Sequence, residues 1–118
     1  MEITRELVLP APPDEVWEAL TDPDRLAEWF ANEVELDPRP GGRGVFRWDN
    51  GETRTALVEE VDPLRRFGFR WTDEDEGEVA FELEELEDGT KVTVRETTAC
   101  AGELSTALEL RSFFFVTA

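Results

Sequence analysis

Pro13-Asp14-Glu15-Val16-Trp17-Glu18-Ala19-Leu20-Thr21-Asp22-Pro23-Asp24-Arg25-Leu26-Ala27-Glu28-Trp29-Phe30 encodes two short amphipathic helices with a break at Thr21-Asp22-Pro23. Val16, Trp17 and Leu20 form the apolar stripe of the first half, and Leu26, Trp29 and Phe30 that of the second. Pro13 suits a first helical position, and Asp14 and Glu15 complement the positive end of the helix. Asp22-Pro23 repeats the same start for the second helix. Both stripes need a common apolar partner, and the rest of the chain must supply it.

Downstream, the pattern changes to strands. Glu33 to Leu36 alternates, and Pro38, Pro40, Gly41 and Gly42 break the chain before Val45. Further strands are expected near 43 to 49, 53 to 61, 66 to 72, 78 to 86 and 91 to 97. Asn50-Gly51 and Asp88-Gly89 have the composition of two-residue hairpin turns, and Asp62-Pro63 and the run 73 to 77 separate the others. With 33 to 36 this makes six consecutive antiparallel strands. Upstream, Glu2 to Leu9 reads as a first strand, stopped by Pro10-Ala11-Pro12-Pro13.

Two-residue turns would set Trp48 opposite Thr53, Phe46 opposite Thr55 and Arg47 opposite Arg54. They would also set Leu83 opposite Val94, Phe81 opposite Glu96 and Glu82 opposite Arg95. Phe67, Phe69 and Trp71 share one face, with Arg66 and Arg70 on the other. Alternation fails at Glu59-Glu60-Val61 and Glu84-Glu85-Leu86, where a bulge or strand end is expected. The tail from Ala101 returns to helical spacing through Leu104, Ala107, Leu108 and Leu110. It leads to Phe113-Phe114-Phe115, which either packs at the end of the domain or forms a homodimer contact.

Composition narrows the chemistry. The 118 residues are read as one domain, 1 to 118, large enough to bury a core without staples. With 29 acidic against 12 basic residues the formal charge is −17, which opposes binding to nucleic acid or anionic membranes. A single cysteine, Cys100, and the lack of a leader or a long apolar run point to a soluble cytoplasmic protein. The absence of His and Tyr removes histidine bases, Ser-His-Asp triads and histidine metal sites. No cofactor or metal is expected.

Strand, two short helices, six-stranded meander and C-terminal helix is the order of an α+β helix-grip fold, a curved antiparallel sheet wrapped around a terminal helix. A lipocalin-like barrel or a cystatin-like roll fits this order less well. The chain resembles the START-like, birch-pollen-allergen-like superfamily, and within it the polyketide cyclase-like group similar to the activator of the heat-shock-protein-90 ATPase. The resemblance is carried by Pro12 to Pro23, Leu26 with Glu28-Trp29-Phe30, Pro40-Gly41-Gly42, Glu60-Val61-Asp62-Pro63 before an aromatic strand ending at Trp71, and Gly89 to Val94.

That resemblance implies a cavity between sheet and terminal helix, used across the superfamily for apolar molecules. The residues expected to line it are Trp29, Phe30, Phe46, Trp48, Thr55, Phe69, Trp71, Phe81 and Glu96, with Thr53 on the same face. Glu96, a carboxylate on an inward face, is either paired, for instance with Arg5, or serves as a polar anchor or general acid or base. The leading reading is binding of a small hydrophobic molecule, with no activity assigned. A carboxylate-dependent cyclase or hydrolase is the alternative, and a co-chaperone-type interaction domain ranks last.

Overall fold

The computed structural model describes residues 2–73 and 77–98. Its elements are β1 (Glu2–Leu9), α1 (Pro13–Thr21), α2 (Pro23–Trp29), β2 (Glu33–Leu36), β3 (Arg43–Arg47), β4 (Thr53–Asp62), β5 (Arg66–Trp71), β6 (Gly77–Leu86) and β7 (Gly89–Thr98). The seven strands form one curved antiparallel sheet in the order β1-β7-β6-β5-β4-β3-β2. The meander is thus as expected, and β1 closes against its last strand. The expected C-terminal helix and the Phe113 to Phe115 contact lie outside the described residues.

Asp22 organises the helix pair. Its backbone is extended (φ −83°, ψ 122°), which stops α1, while its N–H still donates to Glu18 O at 2.9 Å. Its carboxylate accepts from Asp24 N at 2.9 Å and caps α2, where Pro23 needs no N–H partner. One residue therefore ends one helix and starts the next. Asp22→Ala should cost about 1 kcal/mol, the usual value of such a cap, read as a lower midpoint in urea with an unchanged slope.

The buried stripe of α1 is Val16, Ala19 and Leu20, and α2 adds Leu26. These pack on one face of the sheet, whose core includes Phe46, Ala56, Val58, Phe67, Phe69, Trp71, Val79, Phe81, Val92 and Val94. Trp17 meets Phe67 edge-on, with ring centroids 6.1 Å apart. The opposite face carries the ion pairs Arg47–Glu35, Arg70–Glu59, Lys91–Glu6 and Arg95–Glu82. Exposed pairs of this kind add solubility more than stability.

Both hairpin registers differ from expectation, with opposite consequences. At Asn50-Gly51 the connection has three residues: Gly51 N donates to Trp48 O (3.0 Å), Trp48 N donates to Glu52 O (2.9 Å), and Gly51 takes φ 92°. This is the turn-plus-bulge form of hairpin rather than the two-residue one. Arg47 now opposes Thr53, Phe46 opposes Arg54 and Val45 opposes Thr55. A shift of one residue exchanges faces, so Thr53 and Thr55 leave the aromatic face and Arg54 enters it.

At the second hairpin the turn is Glu87-Asp88, because Leu86 pairs with Gly89. Phe81 opposes Val94, Leu83 opposes Val92 and Val79 opposes Glu96. This shift is of two residues, so neighbours change and faces do not. Glu96 remains inward and Glu82 still reaches Arg95, at 3.8 Å. The bulge expected in β4 is present, between Val58 and Glu60, whereas Glu84-Glu85-Leu86 is the end of β6.

Candidate functional site: the aromatic end of the concave face

Every residue that β3, β4 and β5 direct toward the helices is apolar until Arg54. Phe46, Ala56, Val58, Phe67, Phe69 and Trp71 are buried, and Arg54 follows the same alternation one step beyond Ala56. Phe30, at the end of α2, is the hub of the aromatic cluster. Its ring centroid lies 5.2 Å from Phe46, 5.8 Å from Trp48 and 6.3 Å from Trp71. Phe46 meets Trp71 at 5.5 Å and Phe69 meets Trp71 at 5.1 Å, both near-perpendicular contacts that suit the quadrupoles of the rings.

Two indole N–H groups bond to nearby backbone carbonyls. Trp48 Nε1 donates to Phe30 O at 2.9 Å, fastening the end of α2 to the sheet. Trp29 Nε1 donates to Ala19 O at 2.8 Å, so Trp29 ties α2 to α1. Each half-buried indole thereby fixes the chain path around Phe30.

Arg54 supplies charge at this end. Its guanidinium carbon lies 4.0 Å from the Trp71 ring centroid, a cation–π distance. Asp73 accepts from Nε at 2.9 Å and from Nη2 at 3.1 Å, a two-point fork that fixes the plane of the guanidinium. The side chains of Arg54 and Asp73 are only 20% and 23% exposed. Glu96 lies on the same face, 4% exposed, opposite Val79 and Ile3, and Val79 in turn opposes Phe69. By register, Arg54 and Glu96 lie toward the same end of the sheet, on β4 and β7, with β5, which carries Trp71 and Phe69, and β6 between them.

Two exposed ion pairs displace pKa values. Asp37 is lowered by its hydrogen bonds from Arg39, which is raised in return, and Lys91 is raised by Glu6.

Of the residues expected from sequence, the structure gathers Phe30, Phe46, Trp48, Phe69 and Trp71 into one cluster. Phe81 is buried one step further along the face, opposite Phe67. Trp29 belongs to the joint between the helices. Thr55 is a correction: it points to the other face, where its hydroxyl lies 2.9 Å from that of Thr72. Arg54 was missed because the assumed turn put it outside. In Arg54-Thr55-Ala56-Leu57-Val58, Arg54 is in phase with Ala56 and Val58, the buried positions of the stretch.

A helix-grip domain with an aromatic concave face defines a broad class of small α+β proteins. The chain belongs to the family described as activator of Hsp90 ATPase homolog 1-like protein, which matches residues 10–109. No curated protein matches the chain. Among solved structures, CalU16 from Micromonospora echinospora is 30% identical over 96% of this chain and 74% of its own, with a TM-score of 0.78. DynU16, from the dynemicin biosynthetic locus, is 29% identical over 98% of this chain but 44% of its own, with a TM-score of 0.75. The Aha1 dimer from Colwellia psychrerythraea shares the fold at a TM-score of 0.80 and 20% identity, over 97% of this chain and 96% of its own. No helix among the described residues is long and apolar enough to cross a membrane.

Proposed function

We propose that the domain binds a small hydrophobic molecule on the concave face of the sheet, at the end framed by Phe30, Trp71, Arg54 and Glu96. The observation that carries this reading is that two ionisable side chains stand on the same sheet face as the aromatic cluster: Arg54, one-fifth exposed on β4, and Glu96, buried on β7. Apolar walls with a few convergent polar groups are the usual form of a ligand site. Membership of this family and the likeness to CalU16 and DynU16 support a ligand-binding domain. The single Cys100 suits a reducing compartment, and the proposal places the protein in the cytoplasm.

The test is a pair of fluorescence titrations, one with anilinonaphthalene sulfonate and one with the neutral N-phenyl-1-naphthylamine, following the probe and the four tryptophans. Both should saturate at one molecule per domain. Arg54→Met should weaken the anionic probe about tenfold, the scale of one charge-assisted hydrogen bond, and the neutral probe less than about twofold. Non-saturating signals from both probes would reject the site. An equal loss for both probes would keep the site and reject Arg54 as its charge anchor.

A further inference from the structure

The end of the sheet remote from Arg54 and Glu96 carries a furrow. It runs between the start of α1 and the β6–β7 turn in two stretches, of about 250 and 550 Å³, which share Pro12, Pro13 and Glu85. Its apolar lining includes Pro12, Pro13, Leu64, Leu83 and Leu86. Its acidic lining is Asp14, Glu84, Glu85, Glu87 and Asp88, against Arg65 as the sole cation among the lining residues.

Leu64 is out of place by every local rule. Arg65 N donates to Asp62 O at 2.9 Å, closing a turn with Pro63 second and Leu64 third, and Leu64 takes φ 67°. That third position calls for glycine or asparagine, and an ordinary L side chain there is strained. The side chain gains little from the core in return, since the residue is 46% exposed. The turn is also held rigidly, because Leu83 N donates to Arg65 O at 2.8 Å and sets the turn against β6 beside the furrow. A strained, exposed leucine on a pinned turn at an apolar groove marks a contact surface.

We infer that this furrow docks a basic peptide segment of a partner protein. The segment sets an apolar side chain against Leu64 and Leu83, and its flanking lysine or arginine side chains meet the acidic rim. Charge complementarity decides the occupant: the lining carries five carboxylates to one cation, within a chain of net charge −17. A cationic segment is steered toward it, and a second copy of this chain is repelled. The inference is independent of the ligand site, which lies at the other end of β6 and β7.

The experiment titrates isotope-labelled protein with a short capped peptide of alternating lysine and leucine, following backbone amide shifts. A lysine–serine peptide of equal charge and a glutamate–leucine peptide serve as controls. Shifts should concentrate at Asp14, Leu64, Arg65 and Glu84 to Gly89, with affinity falling about tenfold when salt is raised from low to moderate ionic strength. Leu64→Gly relieves the backbone and removes the side chain, so it should melt at the same or a higher temperature and bind at least about tenfold more weakly. Leu64→Ala, which keeps the backbone strain, should lose binding equally. Parental affinity in both variants, equal binding by the lysine–serine peptide, or shifts spread over the whole acidic surface would each overturn the inference.

Discussion

Phe46→Ala is expected to lose about 3–5 kcal/mol of folding stability, the range for deleting a fully enclosed aromatic side chain. The ring is 0% exposed and touches Phe30, Trp48, Phe69 and Trp71, at centroid distances of 5.2 to 6.5 Å. Three of those contacts join different elements: α2 through Phe30 and β5 through Phe69 and Trp71. The sheet side is continuous beneath the ring, so no neighbour can collapse into the space without moving a strand. Domains of this size have roughly 5–15 kcal/mol in total, and the variant should be largely unfolded well below the parental midpoint. Urea unfolding measures it directly. A loss under about 1 kcal/mol would show that the ring lines open space, which would enlarge the ligand site toward β3.

The same residue shows how far the sequence could be read. Phe46 was assigned to the inward face correctly, because its alternation with Arg47 is local. Its partner was assigned wrongly, because the partner depends on the length of the turn. Asn50-Gly51 serves a two-residue turn and a three-residue turn with a bulge equally well in composition, and the two differ by one residue in register. That residue decides whether Arg54 or Thr55 joins Phe46. The helix pair was legible for the opposite reason: Asp22-Pro23 states its own cap and start within two residues, and no distant register enters. Glu96 kept its face because the second error was an even one.

Gly89 illustrates a residue whose type was read correctly and whose reason was not. As the second member of Asp88-Gly89 it has the composition of a turn needing positive φ, but among the described residues the positive-φ glycines are Gly41 and Gly51. Gly89 instead opens β7, opposite Leu86. A Cβ placed there would fall on the carbonyl oxygen of Leu9, with the Leu9 carbonyl carbon at 3.2 Å and Pro10 Cα at 3.6 Å. All three are backbone atoms at the point where β1 ends and the prolines begin, so a rotamer change cannot relieve the overlap. Thr90 next to it fixes the same junction, its hydroxyl donating to Ala11 O at 2.7 Å.

Gly89→Ala must therefore push the end of β1 away from β7. Overpacking of this kind costs about 1–3 kcal/mol in a side-chain core, and rigid backbone on one side places this case at or above the upper end, about 3 kcal/mol. The loss should be local before it is global. Amide exchange in Leu7 to Leu9 and in Thr90 to Val92 should accelerate at denaturant concentrations where β4 and β5 remain protected. Gly51→Ala is the comparison, since a Cβ there meets no atom within 4 Å and only the φ of 92° opposes it. If Gly89→Ala proves no more costly than Gly51→Ala, the approach of Leu9 to β7 is looser than described, and β1 is not the firmly seated edge on which the closure of the sheet depends.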